Sequence, residues 1–333
     1  MVPLVGLGKS GLEVSRVAFG AGPVSNLLTD SADHPTDLQV ATIQRAVELG
    51  INWFDTAATY AEGKSETILG SVLSQLKPSR PIQLATKVRI GPEETGEIRD
   101  AILRSVEGSL RRLRISSLAL LQLHNSLTHK RGDLPTSLTI DDLFDPQGVL
   151  DTFRELKDQG VIRAVGLTGI GDANLLCQAV NSDEFDTIQV PCHLLNPSAI
   201  RRLQEHSDDT DYGEILVRAT EKTMGTFAIR VLAGGALAGH AASPHTHKTK
   251  FFPLDLYERD KQVAAALART LNIEGSMEEL ALQYIFSSQY INSAIIGFGT
   301  PEQVDEAVRI AQTPALTPEE IESLEAAVIT QYL

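Results

Sequence analysis

Asp55, Tyr60, Lys87 and His124 put a carboxylate, a phenol, an amine and an imidazole at or just beyond the ends of successive apolar runs. Asp55 closes the run Ile51, Trp53, Phe54, and Tyr60 follows five positions later in a polar loop. Lys87 follows the run 82–86 and His124 the run 118–123. A single lysine or histidine at a strand end is usually a solvated terminus. Four such groups in successive units would meet at one mouth if the strands are parallel, and the C-terminal ends of parallel strands are where chemistry collects. A phenol, with an ordinary pKa of about 10, needs a nearby cation to release its proton, and Lys87 can be that cation for Tyr60 if Asp55 keeps the amine charged. Asp55 and His124 by themselves would equally suit a metal-dependent barrel hydrolase.

The elements that must position these groups alternate along the whole chain. Strand-like runs fall at 17–20, 51–54, 82–86, 118–123, 162–167, 187–190, 226–232 and 294–297. Between them, apolar residues recur at helical spacing over 37–49, 64–76, 97–113, 148–159, 173–181, 213–222, and 257–271 with 277–288. Eight β-then-α units without a Gly-, Pro- or Ser-rich linker predict an α/β fold, a single (β/α)8 TIM barrel forming one domain over 1–333. The extra length lies in an N-terminal β-hairpin, in 126–146 and 239–253, and in a last helix from 318 to about 330. Loops of that size are more often functional than idle.

Gly6, Gly8 and Gly11 have the spacing of a dinucleotide-binding fingerprint. That motif needs a buried strand before its first glycine and a helix at its last, whereas here 13–19 alternates like a strand. A hairpin turning at Lys9, Ser10 and Gly11 is the better account.

The chain has 333 residues, 42% hydrophobic and 22% charged, with a formal net charge of −14. It has no basic run long enough to neutralise a string of phosphates, so neither nucleic acid nor an anionic membrane is expected as a partner. Cys177 and Cys192 are the only cysteines, which fits a reducing compartment. With no signal-like start and no apolar segment of bilayer length, a cytoplasmic location is expected.

Taken together, these residues resemble the aldo-keto reductase family over nearly the whole chain. The resemblance is carried by the 7–15 opening, Asp55-Thr56-Ala57 with Tyr60, Ser65-Glu66, Leu69-Gly70, Thr86-Lys87, His124, Gln189 and the segment 297–303. It implies that Asp55, Tyr60, Lys87 and His124 form a catalytic tetrad and that the activity is NAD(P)(H)-dependent interconversion of a carbonyl and an alcohol. Hydride delivery leaves negative charge on the carbonyl oxygen, which a proton donor must meet. Tyr60 would supply the proton, and His124 would orient the carbonyl. A nicotinamide-binding regulatory subunit on the same fold, with little turnover, is the alternative.

The cofactor implied is NADP(H), with NAD(H) as the other candidate. Its phosphate end would meet the segment Gly297, Gly299, Thr300 and Gln303, where Thr300 reads as an N-cap and Pro301 as the first helical residue. Thr317 and Pro318 repeat that signature with no ligand implied. Gly20, Thr168, Gln189, Cys192, Arg230 and Leu232 complete the implied cofactor contacts, with Cys192 where an aromatic normally stacks and Arg230 a cation for either the cofactor's phosphates or an acidic substrate. Gly299 stands where members preferring NADP have a basic residue, and Arg309 is the nearest cation. Asn125, His193 and Asn196 are candidates for a carbonyl or sugar substrate. His240, His245 and His247 lie in the 239–253 insertion without a carboxylate or cysteine among them, and read as part of a lid rather than a metal site.

Overall fold

In the computed structural model, which describes residues 1–29, 34–202, 209–273 and 276–331, the chain opens with β1 (Leu4–Gly6) and β2 (Glu13–Ser15), an antiparallel pair. There follow β3 (Val17–Gly20), α1 (Asp37–Glu48), β4 (Trp53–Asp55), α2 (Lys64–Leu73), β5 (Gln83–Val88), α3 (Ile98–Leu113) and β6 (Leu118–Leu123). Next come α4 (Ile140–Phe144), α5 (Val149–Asp158), β7 (Ile162–Thr168), α6 (Ala173–Asn181), β8 (Thr187–Pro191), α7 (Ile215–Glu221) and β9 (Gly225–Ile229). The chain then forms α8 (Leu254–Thr270), α9 (Met277–Ser287), β10 (Ser293–Gly297), α10 (Pro301–Ile310) and α11 (Pro318–Thr330). Strands β3 to β10 pair in parallel and in order, and β10 closes on β3. This is the expected (β/α)8 barrel with its hairpin and added C-terminal helix.

The barrel strands β3 to β10 are buried along nearly all their length, which is why they read as continuous apolar runs rather than as alternation. In β6, Leu118, Leu121 and Leu123 join the large core between sheet and helices, while Ala119 and Leu120 belong to a smaller cluster. That smaller cluster includes Leu7, Leu12, Val14, Trp53, Ala85, Ala164 and Phe227. The hairpin thus closes the end of the barrel where the strands begin, with Trp53 fully buried against Phe227 at 5.1 Å between ring centroids. Gly8 lies on that floor at φ 51°, where a Cβ would sit 2.3 Å from the backbone nitrogen of Gly225. The glycines of the opening therefore serve hairpin closure at the opposite end from the strand C-termini.

Several element ends shift by a few residues, and three differences bear on the site or the barrel floor. The stretch 13–19 breaks at Arg16 into two strands of different sheets, since β2 pairs only with β1 while β3 enters the barrel. Strand β9 stops at Ile229 because Arg230 turns the chain at φ 55°. Lys87 lies within β5, beside Gln122 of β6, rather than beyond the strand. Among the described residues no helix is long and apolar enough to cross a membrane.

Candidate active site

Inward-facing positions become polar toward the C-terminal ends of the strands. Asp55 pairs in register with Ala85, while Lys87 is two residues further along β5 and so one layer nearer the mouth. The buried Lys87 ammonium donates to Asp55 Oδ1, to the Thr56 carbonyl at 2.8 Å and to the Tyr60 hydroxyl at 3.4 Å. Its three N–H bonds are thereby assigned. Burial acts to lower the Lys87 pKa, but the Asp55 carboxylate, the nearby Tyr60 oxygen and the hydrogen bonds to both outweigh it and hold the amine above its ordinary value. Asp55 Oδ2 accepts from Gln189 Nε2 at 2.6 Å, so each carboxylate oxygen has its own donor.

Tyr60 is brought to this cluster by a short strained turn. Ala61 and Glu62 adopt left-handed conformations at φ 47° and 56°, and Gly63 follows at 87°. For residues other than glycine this costs about 1–2 kcal/mol each, and such strain tends to persist where surrounding structure holds a functional group in place. The start of α2 is anchored by Ser65, whose hydroxyl donates to the Ala21 carbonyl at 2.9 Å and lies 2.9 Å from the Thr56 hydroxyl. Glu66, fully buried, accepts from Thr86 at 2.5 Å and Arg112 at 2.6 Å, tying α2 to β5 and α3. The conspicuous Ser65-Glu66 pair thus positions the site rather than entering it.

His124 follows β6 directly, with its backbone N–H donating to Val88 at 2.8 Å. Its ring meets that of Tyr60 edge-on at 5.7 Å between centroids. Its Nδ1 is buried without a partner among the described residues. Desolvation, with the charges of Arg89 and Lys87, pushes the His124 pKa well below the usual histidine value. The imidazole is therefore neutral at neutral pH, with one ring N–H to offer.

The tetrad opens into a cavity of about 790 Å³. Of the sequence candidates, Gly20, Asp55, Tyr60, Lys87, His124, Thr168, Gln189, Arg230, Leu232, Gly297, Gly299 and Gln303 line it. Gly20 and Gly297 pair at the barrel rim, where a Cβ on Gly20 would come 3.0 Å from Ile295 Cγ2 and one on Gly297 3.2 Å from Ser25 Cβ. The wall there is kept bare. Thr300 caps α10 by accepting from the Gln303 N–H at 3.4 Å, and Gln303 Oε1 accepts from the Gly299 N–H at 2.6 Å. The 239–253 insertion supplies His240, His245, Phe251 and Phe252 to the wall, and the Arg230 guanidinium lies 3.8 Å from the Phe252 ring centroid. Burial brings the Arg230 pKa down to about 10.

Thr300 caps α10 beside the cavity without lining it, and four further candidates lie elsewhere. Cys192 is fully buried in the outer core, where desolvation drives its thiol up to about 12, and Ile229 takes the neighbouring place in the cavity wall. Asn125 clips two loops together: its Oδ1 accepts from the Ile90 N–H at 2.9 Å, and its Nδ2 donates to Ile90 at 2.9 Å and Thr136 at 2.5 Å. Asn196 accepts from the Ser198 hydroxyl at 2.7 Å and donates to the Thr210 carbonyl at 3.0 Å. His193 is buried behind the wall, its backbone paired with that of Asn196. Small polar residues after a strand satisfy loop backbone as readily as they bind ligand, and all the side-chain bonds of Asn125 and Asn196 go to that use. Conversely, Arg89 lines the site, and Gln122 lies fully buried beneath it against Thr168, without either having been singled out. Gln122 donates to the Thr168 hydroxyl at 2.9 Å. Arg89 is two residues past Lys87, a spacing that already placed it on the same side.

The family model described as Aldo/keto reductase family matches residues 20–329. The chain belongs to the aldo/keto reductase family. Among its relatives, L-galactose dehydrogenase of Arabidopsis thaliana is 29% identical over 92% of this chain and 87% of its own length. The NADH-specific methylglyoxal reductase of Escherichia coli strain K12 is 26% identical over 91% of both chains. Among solved structures, the holo form of aldo-keto reductase AKR11C1 from Bacillus halodurans superposes with a TM-score of 0.72 at 25% identity, covering 98% of this chain and 96% of that one. As an oxidoreductase of this family, the protein meets a nicotinamide cofactor, and the bare rim at Gly20 and Gly297, the capped start of α10 and the Arg230 cation together fit a long ligand with an anionic middle.

Proposed function

We propose that the protein interconverts an aldehyde, ketone or sugar hemiacetal with the corresponding alcohol or lactone by hydride transfer with NAD(P)(H), Tyr60 acting as the general acid and base. The observation that carries this reading is the buried Lys87 ammonium, which bonds Asp55 and Tyr60 at once while the Tyr60 ring rests against His124. A bound nicotinamide dinucleotide supplies or accepts the hydride. Gly297, Gly299, Thr300 and Gln303 would hold its phosphate end, with Arg230 and Leu232 beside the phosphates, and Thr168 and Gln189 its carboxamide beside Gly20. The Gln189 amide nitrogen is committed to Asp55, which leaves its carbonyl oxygen for that contact.

In reduction, Tyr60 gives its hydroxyl proton to the oxygen of the substrate carbonyl as charge develops there, and Lys87 faces the charge left on the phenol oxygen. The neutral His124 donates its ring N–H to the same substrate oxygen and so sets the angle of the carbonyl. In oxidation the proton returns to Tyr60. Phe251 and Phe252 of the 239–253 insertion give the site an apolar side wall.

Arg309, the cation nearest α10 that could serve a 2′-phosphate, is held by Glu306 and Glu279 at 2.7 and 2.9 Å. A preference for NADP(H) would require it to leave those partners, so NADPH and NADH are to be assayed in parallel. The test is nicotinamide absorbance over time against aromatic, aliphatic and sugar substrates, with wild type and Tyr60→Phe. Turnover that Tyr60→Phe abolishes supports the reading; turnover undiminished in that variant removes Tyr60 from its role.

A further inference from the structure

Two guanidinium groups line the cavity, and they address different parts of it. Arg230 acts electrostatically on His193, Tyr212 and His245, behind the wall and toward the insertion. Arg89 acts on Tyr60 and His124, at the reacting end. Arg89 Nε is buried without an acceptor, and no N–H of its side chain bonds a described residue. Acidic residues outnumber lysine and arginine by 43 to 29 in this chain, and Arg99, Arg112, Arg131 and Arg309 each lie against one. Arg89 is half-buried in the cavity wall, and an arginine stays charged even when desolvation lowers its pKa; a charge partly withdrawn from water, with no acceptor on its buried Nε among the described residues, is under-satisfied. Its uncommitted position beside Tyr60 therefore calls for an anion that the described residues do not supply.

We propose that Arg89 binds an anionic group, a carboxylate or a phosphate, carried by the substrate near its reacting carbon, so that charged carbonyl compounds are preferred over neutral ones. The nicotinamide ring has no anionic substituent and the cofactor's phosphates have Arg230, so the anion at Arg89 belongs to the substrate. The planar fork of a guanidinium matches either group in two parallel hydrogen bonds. This inference rests on the reductase reading above.

The test compares kcat/KM for glyoxylate against glycolaldehyde, and for D-glyceraldehyde 3-phosphate against D-glyceraldehyde, in wild type, Arg89→Lys and Arg89→Gln. The charged member of at least one pair should be favoured about 100-fold by wild type, partly so by Arg89→Lys, and within about 3-fold of its neutral partner by Arg89→Gln. Both rates can fall in the variants; the ratio is the readout. A ratio that is the same in wild type and Arg89→Gln overturns the proposal. Calorimetric titration with glycolate and 3-phosphoglycerate, which need no hydride chemistry to bind, separates the two readings. Arg89-dependent binding without turnover of any aldehyde would uphold the anion site and overturn the reductase function, whereas binding of neither anion by wild type would overturn the anion site.

Discussion

Replacing Asp55 by asparagine keeps the shape of the side chain and removes its charge. Both carboxylate oxygens receive donors, from the Lys87 ammonium and from Gln189 Nε2. An asparagine has one acceptor oxygen, so whichever way its amide turns, its NH₂ confronts one of the two donors. Lys87 is left buried without a counter-ion. Breaking a buried ion pair from one side costs about 3–5 kcal/mol. With an unfolding entropy of about 2.1 cal/mol/K per residue, a chain this long has about 0.7 kcal/mol/K in all, so the melting temperature should drop by about 4–7 °C. Burial would also lower the Lys87 pKa once Asp55 no longer opposes it, and loss of that positive charge beside Tyr60 should reduce kcat by about 10²–10⁴. Thermal denaturation and steady-state turnover across pH measure the two effects. A melting temperature within 1–2 °C of wild type, outside the range given by the entropy estimate, together with kcat within about 10-fold, would refute the inference that Asp55 holds Lys87 charged.

Tyr60→Phe removes the proton donor and little volume, so kcat should fall by about 10²–10⁴ while cofactor affinity, followed by quenching of protein fluorescence, stays within a few-fold. Gly70→Ala replaces a glycine in the interior of α2, which by propensity alone would stabilise by about 1 kcal/mol. The new Cβ, however, would lie 2.5 Å from the Arg112 carbonyl oxygen and 2.6 Å from Leu113 Cα. Overpacking against backbone at about 1–3 kcal/mol or more should win, and a urea midpoint at or above wild type would contradict the close packing of α2 on α3. His193 has a folded pKa of about 3, from burial and the charges of Arg230 and Arg259, against about 6.5 when unfolded. Between those values the unfolded chain binds more protons, so stability falls as pH drops, by about 2–3 kcal/mol from pH 7 to 4.5. His193→Gln should flatten that slope in denaturant titrations, and an unchanged slope would exclude His193 as a source of the acid sensitivity.

The alternation of strand-like and helical segments determined the barrel, because strands covered on both faces leave continuous apolar runs and the helices between them keep one apolar stripe. β3 and β6 follow the sequence pattern residue for residue. The tetrad was legible for the same reason: a polar residue at the end of such a run has no apolar face to join, so it must lie at the rim. The Thr300 and Thr317 caps were equally local, since a cap is built from residues within one turn. What tertiary structure alone decided was the allegiance of polar groups between strand and helix. Asn125, His193 and Asn196 follow strands as His124 does, yet the backbone around them uses their hydrogen bonds or encloses them. Cys192 turns into the outer core while Ile229 of the neighbouring strand takes its place in the wall, a matter of which face the chain presents once β8 has ended. Sequence spacing determines which residues can reach the mouth. Whether a side chain there is left free for a ligand depends on partners supplied by distant segments, as Arg112, paired with Glu66, and Arg89, without a side-chain partner among the described residues, show.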